Sequence, residues 1–152
     1  MINRRHIRIK VMQSAYAILQ SKNDNLDKEE KFLKQSIEKM YDLHVLILSL
    51  LVEVQSMAES HLSIAKKKHL ASAKEKNPST RLIENQVINT FKESISLNDH
   101  IEKKKLTNWK LDDEFVRVIW DLIKTSEIYE NYMNSQTGSF VEDQKFVLKI
   151  FK

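Results

Sequence analysis

The side chains best suited to bind a ligand lie close together near the start of the chain. They are four cations, an amide and a phenol: Arg4, Arg5, Arg8, Lys10, Gln13 and Tyr16. A guanidinium offers paired N–H donors that match a phosphate, and a flat face that can stack on a base. A nearby tyrosine ring adds a second stacking surface. The pattern therefore predicts a strip that contacts single-stranded RNA through its phosphates and bases.

The positive charge of the chain is a local property of this segment. Residues 1–22 hold five Lys or Arg residues and no Asp or Glu, which gives a formal charge of +5. The whole chain has 25 basic and 21 acidic residues and a net charge of +4, so residues 23–152 sum to −1. We therefore expect any electrostatic partner to bind near the N-terminus.

Two other interpretations fit the same charge pattern. A run of basic residues is commonly a solvated helix face that has no partner at all. An Arg-rich amphipathic segment without acidic residues is also typical of an organellar transit peptide, or of a helix that lies on a membrane surface. The residue pattern alone leaves these interpretations open beside the RNA-binding one.

A helix must position these side chains, and its period predicts how they are arranged. At about 100° per residue, one stripe roughly 80° wide contains Arg4, Arg8, Met12, Ala15 and Leu19. The N-terminal half of this stripe presents guanidinium groups, and the apolar C-terminal half is expected to dock on a core. Arg5 and Tyr16 lie within about 20° of each other on an adjoining face.

The order of these residues resembles that of a known family. Arg4-Arg5-x-x-Arg8, followed by Gln13-x-x-Tyr16, is similar to the opening of NusB, the bacterial transcription antitermination factor, and most of all to the long NusB-like proteins of the Bacteroidetes. Members of that family begin with an arginine-rich helix followed by a Gln-x-x-Tyr step. One position departs from the pattern, because the family often has an acidic residue after the third arginine and this chain has Ile9.

The resemblance implies a cytoplasmic, all-helical protein that binds the boxA element of nascent RNA through its first helix. The implied partners are NusE, a small-subunit ribosomal protein, and the rest of the transcription antitermination complex. The implied RNA contacts are Arg4, Arg5, Arg8, Gln13 and Tyr16, and the charge pattern adds Lys10. The chain is expected to be the N-terminal portion of a longer NusB-like protein, because its last helix stops without a Gly, Asn or Pro exit.

Composition predicts the fold class and excludes several kinds of chemistry. One glycine and one proline in 152 residues predict long helices with short polar loops. A single glycine cannot build a Gly-rich phosphate loop, the absence of cysteine excludes thiolate chemistry, and the histidines lack metal-ligand spacing. The apolar run at 43–54 contains His44, Ser49 and Glu53 and is shorter than a membrane span requires. We predict a non-enzymatic protein without metal, cofactor or membrane partner.

The hydrophobic pattern predicts one all-α domain over residues 1–152, a helical bundle with one long central helix. The predicted helices span residues 3–22, 28–65, 82–96, 98–106, 112–134 and 139–152, with a polar linker at 66–80 and a restart near Ser126. The predicted N-terminal caps are Asp27 (with Glu30 closing a capping box), Asn98, Asp112 and Ser139. The alternative function is a protein–protein adaptor in which the long apolar helix presents a groove or forms a dimer.

Overall fold

The chain is all-helical in the computed structural model, which describes residues 3–21, 25–67, 79–135 and 138–152. Within these ranges it forms eight α-helices and no strand, which confirms the predicted all-α class. The helices are α1 (Arg4–Ser21), α2 (Leu26–Lys67), α3 (Gln86–Glu93), α4 (Ile95–Lys104), α5 (Asn108–Leu111), α6 (Asp113–Lys124), α7 (Glu127–Asn134) and α8 (Phe140–Ile150). Lys22, predicted to end the first helix, and most of the predicted polar linker lie outside the described residues.

The chain divides into two compact units, residues 1–47 and residues 48–152. The first unit contains α1 and the N-terminal part of α2. The second contains the rest of α2 and the six shorter helices. The prediction that residues 1–152 form one domain stays a prediction.

The cap of α2 differs from the predicted one. Asn25 caps the helix, because its Oδ1 accepts the Lys28 backbone N–H at 3.0 Å. Asp27, the predicted cap, lies in the first turn instead, where its charge still favours the helix N-terminus. Glu30 pairs with Lys34 at 2.5 Å, and this hydrogen bond lowers the pKa of the Glu30 carboxyl.

The predicted helix at 82–96 is wrong in its bounds, because its first residues form a turn. Asn85 ends that turn and caps α3, accepting the Ile88 backbone N–H at 3.0 Å. Asn85 is fully buried, so this cap also fills part of the core. The sequence pattern of apolar residues ran through Asn85 without a break, which is why the turn was not predicted.

Ser94 separates α3 from α4. Its backbone is extended, with φ −68° and ψ 109°, and its hydroxyl accepts the Leu97 backbone N–H at 3.4 Å. Asn98, the predicted cap, therefore lies inside α4, and its side-chain amide donates to the Lys92 carbonyl at 3.1 Å. Lys105 caps the C-terminus of α4 and adopts the left-handed conformation at φ 53°.

The caps of the last three helices agree with the sequence pattern in part. Ser126 and Ser139 cap α7 and α8 and accept from the backbone N–H groups three residues on, at 3.2 and 3.4 Å. The restart predicted at Ser126 is thus confirmed. Asp112 occupies the N-cap position of α6, but its side chain makes no capping hydrogen bond. The short helix α5, just before it, was not predicted.

The core of the second unit is built from residues of α2, α3, α6, α7 and α8 and of the turn before α3. It contains Leu51, Val54, Ala58, Leu82, Ile88, Val116, Trp120, Ile123, Tyr132, Phe146 and Val147. Tyr132 stacks on Phe146 with ring centroids 3.9 Å apart and planes 12° from parallel. Trp120 meets Tyr129 edge to face at 5.6 Å. Trp120, Tyr129, Tyr132 and Phe146 therefore serve packing between α6, α7 and α8.

A buried polar cluster, the Tyr132 hub (Asn85, Tyr132 and Asp143), joins α3, α7 and α8. The Tyr132 hydroxyl donates to Asp143 Oδ1 at 2.8 Å and accepts from Asn85 Nδ2 at 2.9 Å. The second carboxylate oxygen of Asp143 accepts the Gln86 backbone N–H at 2.9 Å, at the start of α3. Burial, and then the hydrogen bond to Asp143, raise the pKa of Tyr132 to about 12.

Arg81 closes the side of this hub. Its guanidinium lies 4.5 Å from the centroid of the Tyr132 ring, pairs with Glu142 at 2.6 Å and donates to the Ser135 carbonyl. Burial works against the charge of Arg81, and its hydrogen bonds, chiefly to Glu142, outweigh that effect and raise its pKa. Glu142 thus binds Arg81 through its side chain.

The helix α2 meets a simple length-and-composition test for crossing a membrane over residues 26–65. Core helices of soluble proteins pass the same test. In this helix Leu51, Val54 and Ala58 belong to the core of the second unit. Gln55, 2% exposed, donates from its amide to the Ile83 carbonyl at 2.9 Å and to Asn89 Oδ1 at 3.0 Å. These contacts attach α2 to the turn before α3.

Candidate nucleic-acid interface

The start of α1 is fixed by a reciprocal cap that the sequence analysis did not identify. Asn3 Oδ1 accepts the His6 backbone N–H at 3.1 Å, and the Asn3 backbone N–H donates to His6 Nδ1 at 3.4 Å. This geometry is that of a capping box, with histidine in the place usually taken by Glu or Gln. The cap fixes the first helical turn, and with it the backbone that carries Arg4 and Arg5.

Three arginines, the arginine strip (Arg4, Arg5 and Arg8), occupy the first two turns of α1. All three side chains are exposed. At about 100° per residue, Arg4 and Arg8 lie about 40° apart around the helix axis, and Arg5 lies about 60° from Arg8 on its other side. Arg4 and Arg8 are about 6 Å apart along the axis. The strip therefore covers about 100° of one side of the helix.

The apolar half of the predicted stripe is not packed on a core, which corrects the expectation from sequence. Met12 is 67% exposed and Leu19 is 78% exposed, and α1 has no buried residue. The half-buried positions are instead His6, Lys10, Ser14 and Ile18. Apolar residues occur all around α1, so its sequence period did not identify the shielded side. The arginine strip consequently continues into exposed apolar side chains rather than into the core.

Tyr16 belongs to this exposed face. Its side chain is 64% exposed and lies about 80° from Arg8 around the helix, about 12 Å further along the axis. The Gln20 side-chain amide donates to the Tyr16 hydroxyl at 3.1 Å, which positions the phenol along the helix. One flat ring thus lies beyond the arginines on the same side of α1.

The structure does not bring the other two predicted contacts to the same face. Lys10 is half-buried and lies about 160° from Arg8 around the helix axis. Gln13 is exposed but lies about 140° from Arg8. A ligand that covers the arginine strip and Tyr16 would therefore leave Lys10 on the opposite side of α1.

The electrostatics of α1 favour an anion. The helix has no acidic residue in its first turn, and its macrodipole adds partial positive charge at the same end. Within the described ranges, none of the three strip arginines forms an ion pair. The other arginines are engaged, Arg81 with Glu142 at 2.6 Å and Arg117 with Asp113 at 3.6 Å. Among the arginines of the described residues, those of the arginine strip are thus the most accessible to a phosphate ligand.

The described residues offer no metal site and one notable cavity besides the arginine strip. Over these ranges no group of three or more His, Asp or Glu side chains could hold a metal ion. One cavity, with a volume of about 260 Å³, lies between the second half of α2 and residues 91–110. Its wall mixes apolar side chains such as Phe91 and Trp109 with Glu53, Glu102 and Lys92.

No protein-family model, curated protein or solved structure matches this chain.

Proposed function

We propose that this protein is a non-enzymatic, RNA-binding transcription antitermination factor of the NusB-like type, which binds boxA-like single-stranded RNA through α1. The observation that carries the proposal is the exposure of Arg4, Arg5 and Arg8 on one side of a capped helix that has no acidic residue in its first turn. Guanidinium groups on a rigid element can each form two hydrogen bonds to a phosphate.

The continuation of this side of α1 favours single-stranded RNA over a duplex. Beyond the arginines, Met12, Tyr16 and Leu19 expose apolar and aromatic surface. Bases in a duplex are stacked on one another, whereas unpaired bases are free to stack on an exposed aromatic ring. Phosphates at the arginine strip and a base at Tyr16 would use both halves of the exposed face.

The remaining parts of the proposal rest on the family resemblance of the first sixteen residues. They are the boxA sequence, the partner NusE, membership of an antitermination complex and a cytoplasmic location. The residues that carry the resemblance and are exposed together on one side of α1 are Arg4, Arg5, Arg8 and Tyr16.

Fluorescence anisotropy with a labelled boxA-like RNA and a scrambled RNA of the same composition tests the proposal. Replacing the three strip arginines with Gln should abolish binding, because it removes the cations and keeps helix-compatible side chains. The matched control replaces three exposed lysines elsewhere, Lys28, Lys31 and Lys103, with Gln and removes the same charge. An equal loss in both variants, or equal affinity for the two RNAs, would reduce the interaction to general electrostatics and contradict the proposal.

A helical protein–protein adaptor is the second candidate, and one observation favours it. In the first unit Phe32, Leu43 and Ile47 of α2 are exposed and fall within about 60° around the helix. Deleting residues 1–10 separates the candidates. The RNA factor should lose RNA binding with little change in circular dichroism, whereas an adaptor should keep its protein partner.

A further inference from the structure

Helix α6 has a second apolar face that its own unit does not cover. Phe115 is 63% exposed, Val118 is 52% exposed and Leu122 is 67% exposed, and the three lie within about 60° around the helix. Glu114 and Asp121 border this face, about 40–60° beyond Val118. We call these five residues the acidic stripe.

Helix α8 has a similar face with the opposite charge. Val141, Leu148 and Phe151 are each about half exposed and lie within about 80° around the helix. The border on one side of them consists of three exposed lysines, Lys145, Lys149 and Lys152. We call these six residues the basic stripe. Glu142, the acidic residue nearest this border, is paired with Arg81.

Both stripes belong to helices whose opposite faces already form the core. Val116 and Trp120 of α6 are buried, as are Phe146 and Val147 of α8. A surface helix ordinarily needs one apolar face, so a second one requires a different explanation. Exposed apolar patches bordered by charges mark sites of protein–protein contact.

Charge decides which pairing of these faces is favourable. Two acidic stripes in contact would oppose Glu114 and Asp121 to their own copies, and two basic stripes would oppose lysine to lysine. An acidic stripe against a basic stripe places opposite charges along both apolar faces. The two helices also match in length, since α6 has 12 residues and α8 has 11.

We propose that the acidic stripe of one molecule docks against the basic stripe of a second copy of this chain. The internal pair between Asp121 and Lys124, at 2.5 Å, is compatible with this contact, because a carboxylate accepts several hydrogen bonds. The contact joins two different surfaces, so it is heterologous and can extend beyond a dimer.

The contact is small, so its expected strength is modest. Each side offers three large apolar side chains and two or three charges, far fewer than the roughly 20–30 residues per side of a stable interface. We expect a dissociation constant on the order of 100 µM, which should increase as salt rises because the charge pairs are screened. Self-association should therefore be visible at high protein concentration and low ionic strength.

Sedimentation equilibrium of the full chain without RNA tests the pairing. The variant E114K/D121K makes both stripes basic, and the variant K145E/K149E makes both acidic. Each variant alone should self-associate roughly tenfold more weakly, because attraction at two ion pairs becomes repulsion. An equimolar mixture of the two variants should associate again, since each then offers the stripe that the other lacks. The control K28E/K103E changes the net charge by the same amount as K145E/K149E and should behave as wild type.

Several results would overturn the proposal. The first is a wild-type protein that stays monomeric at millimolar concentration. The second is self-association of the charge-reversed variants as strong as that of wild type. The third is a mixture of the two variants that stays monomeric although the circular dichroism of both is helical. Loss of association in R5E/R8E would assign the partner of the acidic stripe to α1 instead. The variants L122Q and L148Q keep every charge and should also weaken association, which covers the case in which a charge reversal prevents folding.

Discussion

Replacing Arg5 with Ala should flatten the salt dependence of RNA binding, whereas replacing Lys10 with Ala should leave it unchanged. Arg5 is exposed within the arginine strip, but Lys10 is half-buried and lies about 160° from Arg8 around α1. An RNA strand that follows the strip reaches three guanidinium groups and not the lysine. The sequence alone assigned all four cations to one RNA site, whereas the structure leaves Lys10 away from the arginine strip. The two variants therefore test whether three or four cations contact the RNA.

The magnitude follows from the number of phosphates neutralised. Three contacts to a single strand give a log–log salt slope of about −0.7 × 3, or about −2.1, whereas four would give about −2.8. A fourfold rise in salt should then weaken wild-type binding about 18-fold rather than about 50-fold. Without Arg5 the slope should be about −1.4, which corresponds to about sevenfold.

Fluorescence anisotropy across a salt series from about 50 to 200 mM measures these slopes with labelled boxA-like RNA. Y16A serves as a comparison, because loss of a stacking ring should reduce affinity by about 1–3 kcal/mol and leave the slope unchanged. A wild-type slope near −2.8 that falls to about −2.1 in K10A would refute the three-contact arrangement. Equal slopes in wild type and R5A would remove Arg5 from the interface.

Three further predictions concern the framework of the fold. N3A should lower the stability of α1 by about 0.5–2 kcal/mol through loss of its cap, measured as faster amide hydrogen exchange in the first turn. K105G should increase the free energy of unfolding by about 1 kcal/mol, because glycine adopts the left-handed conformation at φ 53° without a Cβ clash. The measurement is the urea midpoint, which should rise; an unchanged or lower midpoint would contradict this. The pKa of Tyr132 is raised to about 12, so the neutral phenol stabilises the fold below pH 10, and this stabilisation is lost as the pH rises from 10 through 12. The urea midpoint of Y132F should therefore be lower than that of wild type at pH 7, but should fall less than that of wild type between pH 10 and 12.

The sequence predicted those parts of the structure that depend on local chemistry. The near absence of glycine and proline predicted an all-helical chain, and Ser126 and Ser139 predicted two helix starts, because a cap needs only its own neighbours. Asp27 failed as a cap because Asn25, two residues earlier, is as good an acceptor for the first-turn amides. Capping preferences allow either residue at the N-cap of α2, and the residue at which the helix begins determines that Asn25 is the cap.

Contacts between distant residues could not be predicted from spacing. In the sequence, nothing distinguishes Arg81 from other polar residues that follow the predicted linker. In the structure it binds Glu142 and lies over the Tyr132 ring. The face of α1 was ambiguous for a related reason. Its apolar residues surround the helix, so only the three-dimensional structure identifies Met12 and Leu19 as exposed. Spacing alone placed Arg4 and Arg8 on one face and Arg5 on an adjoining one, because residues four apart on a helix share a side, and the structure leaves all three side chains exposed.

The Tyr132 hub has a consequence for how the second unit unfolds. Neighbouring helices contact each other along the chain, as α5 does with α6, α6 with α7, and α7 with α8. Such local pairs could form or melt one at a time. The hub instead links Asn85 to Tyr132 and Gln86 to Asp143, 47 and 57 residues apart in sequence. Closing loops of that size has a large entropic cost, which is recovered only when the intervening helices are in place. We therefore expect the hub to make these helices cooperative, so that they unfold in a single transition.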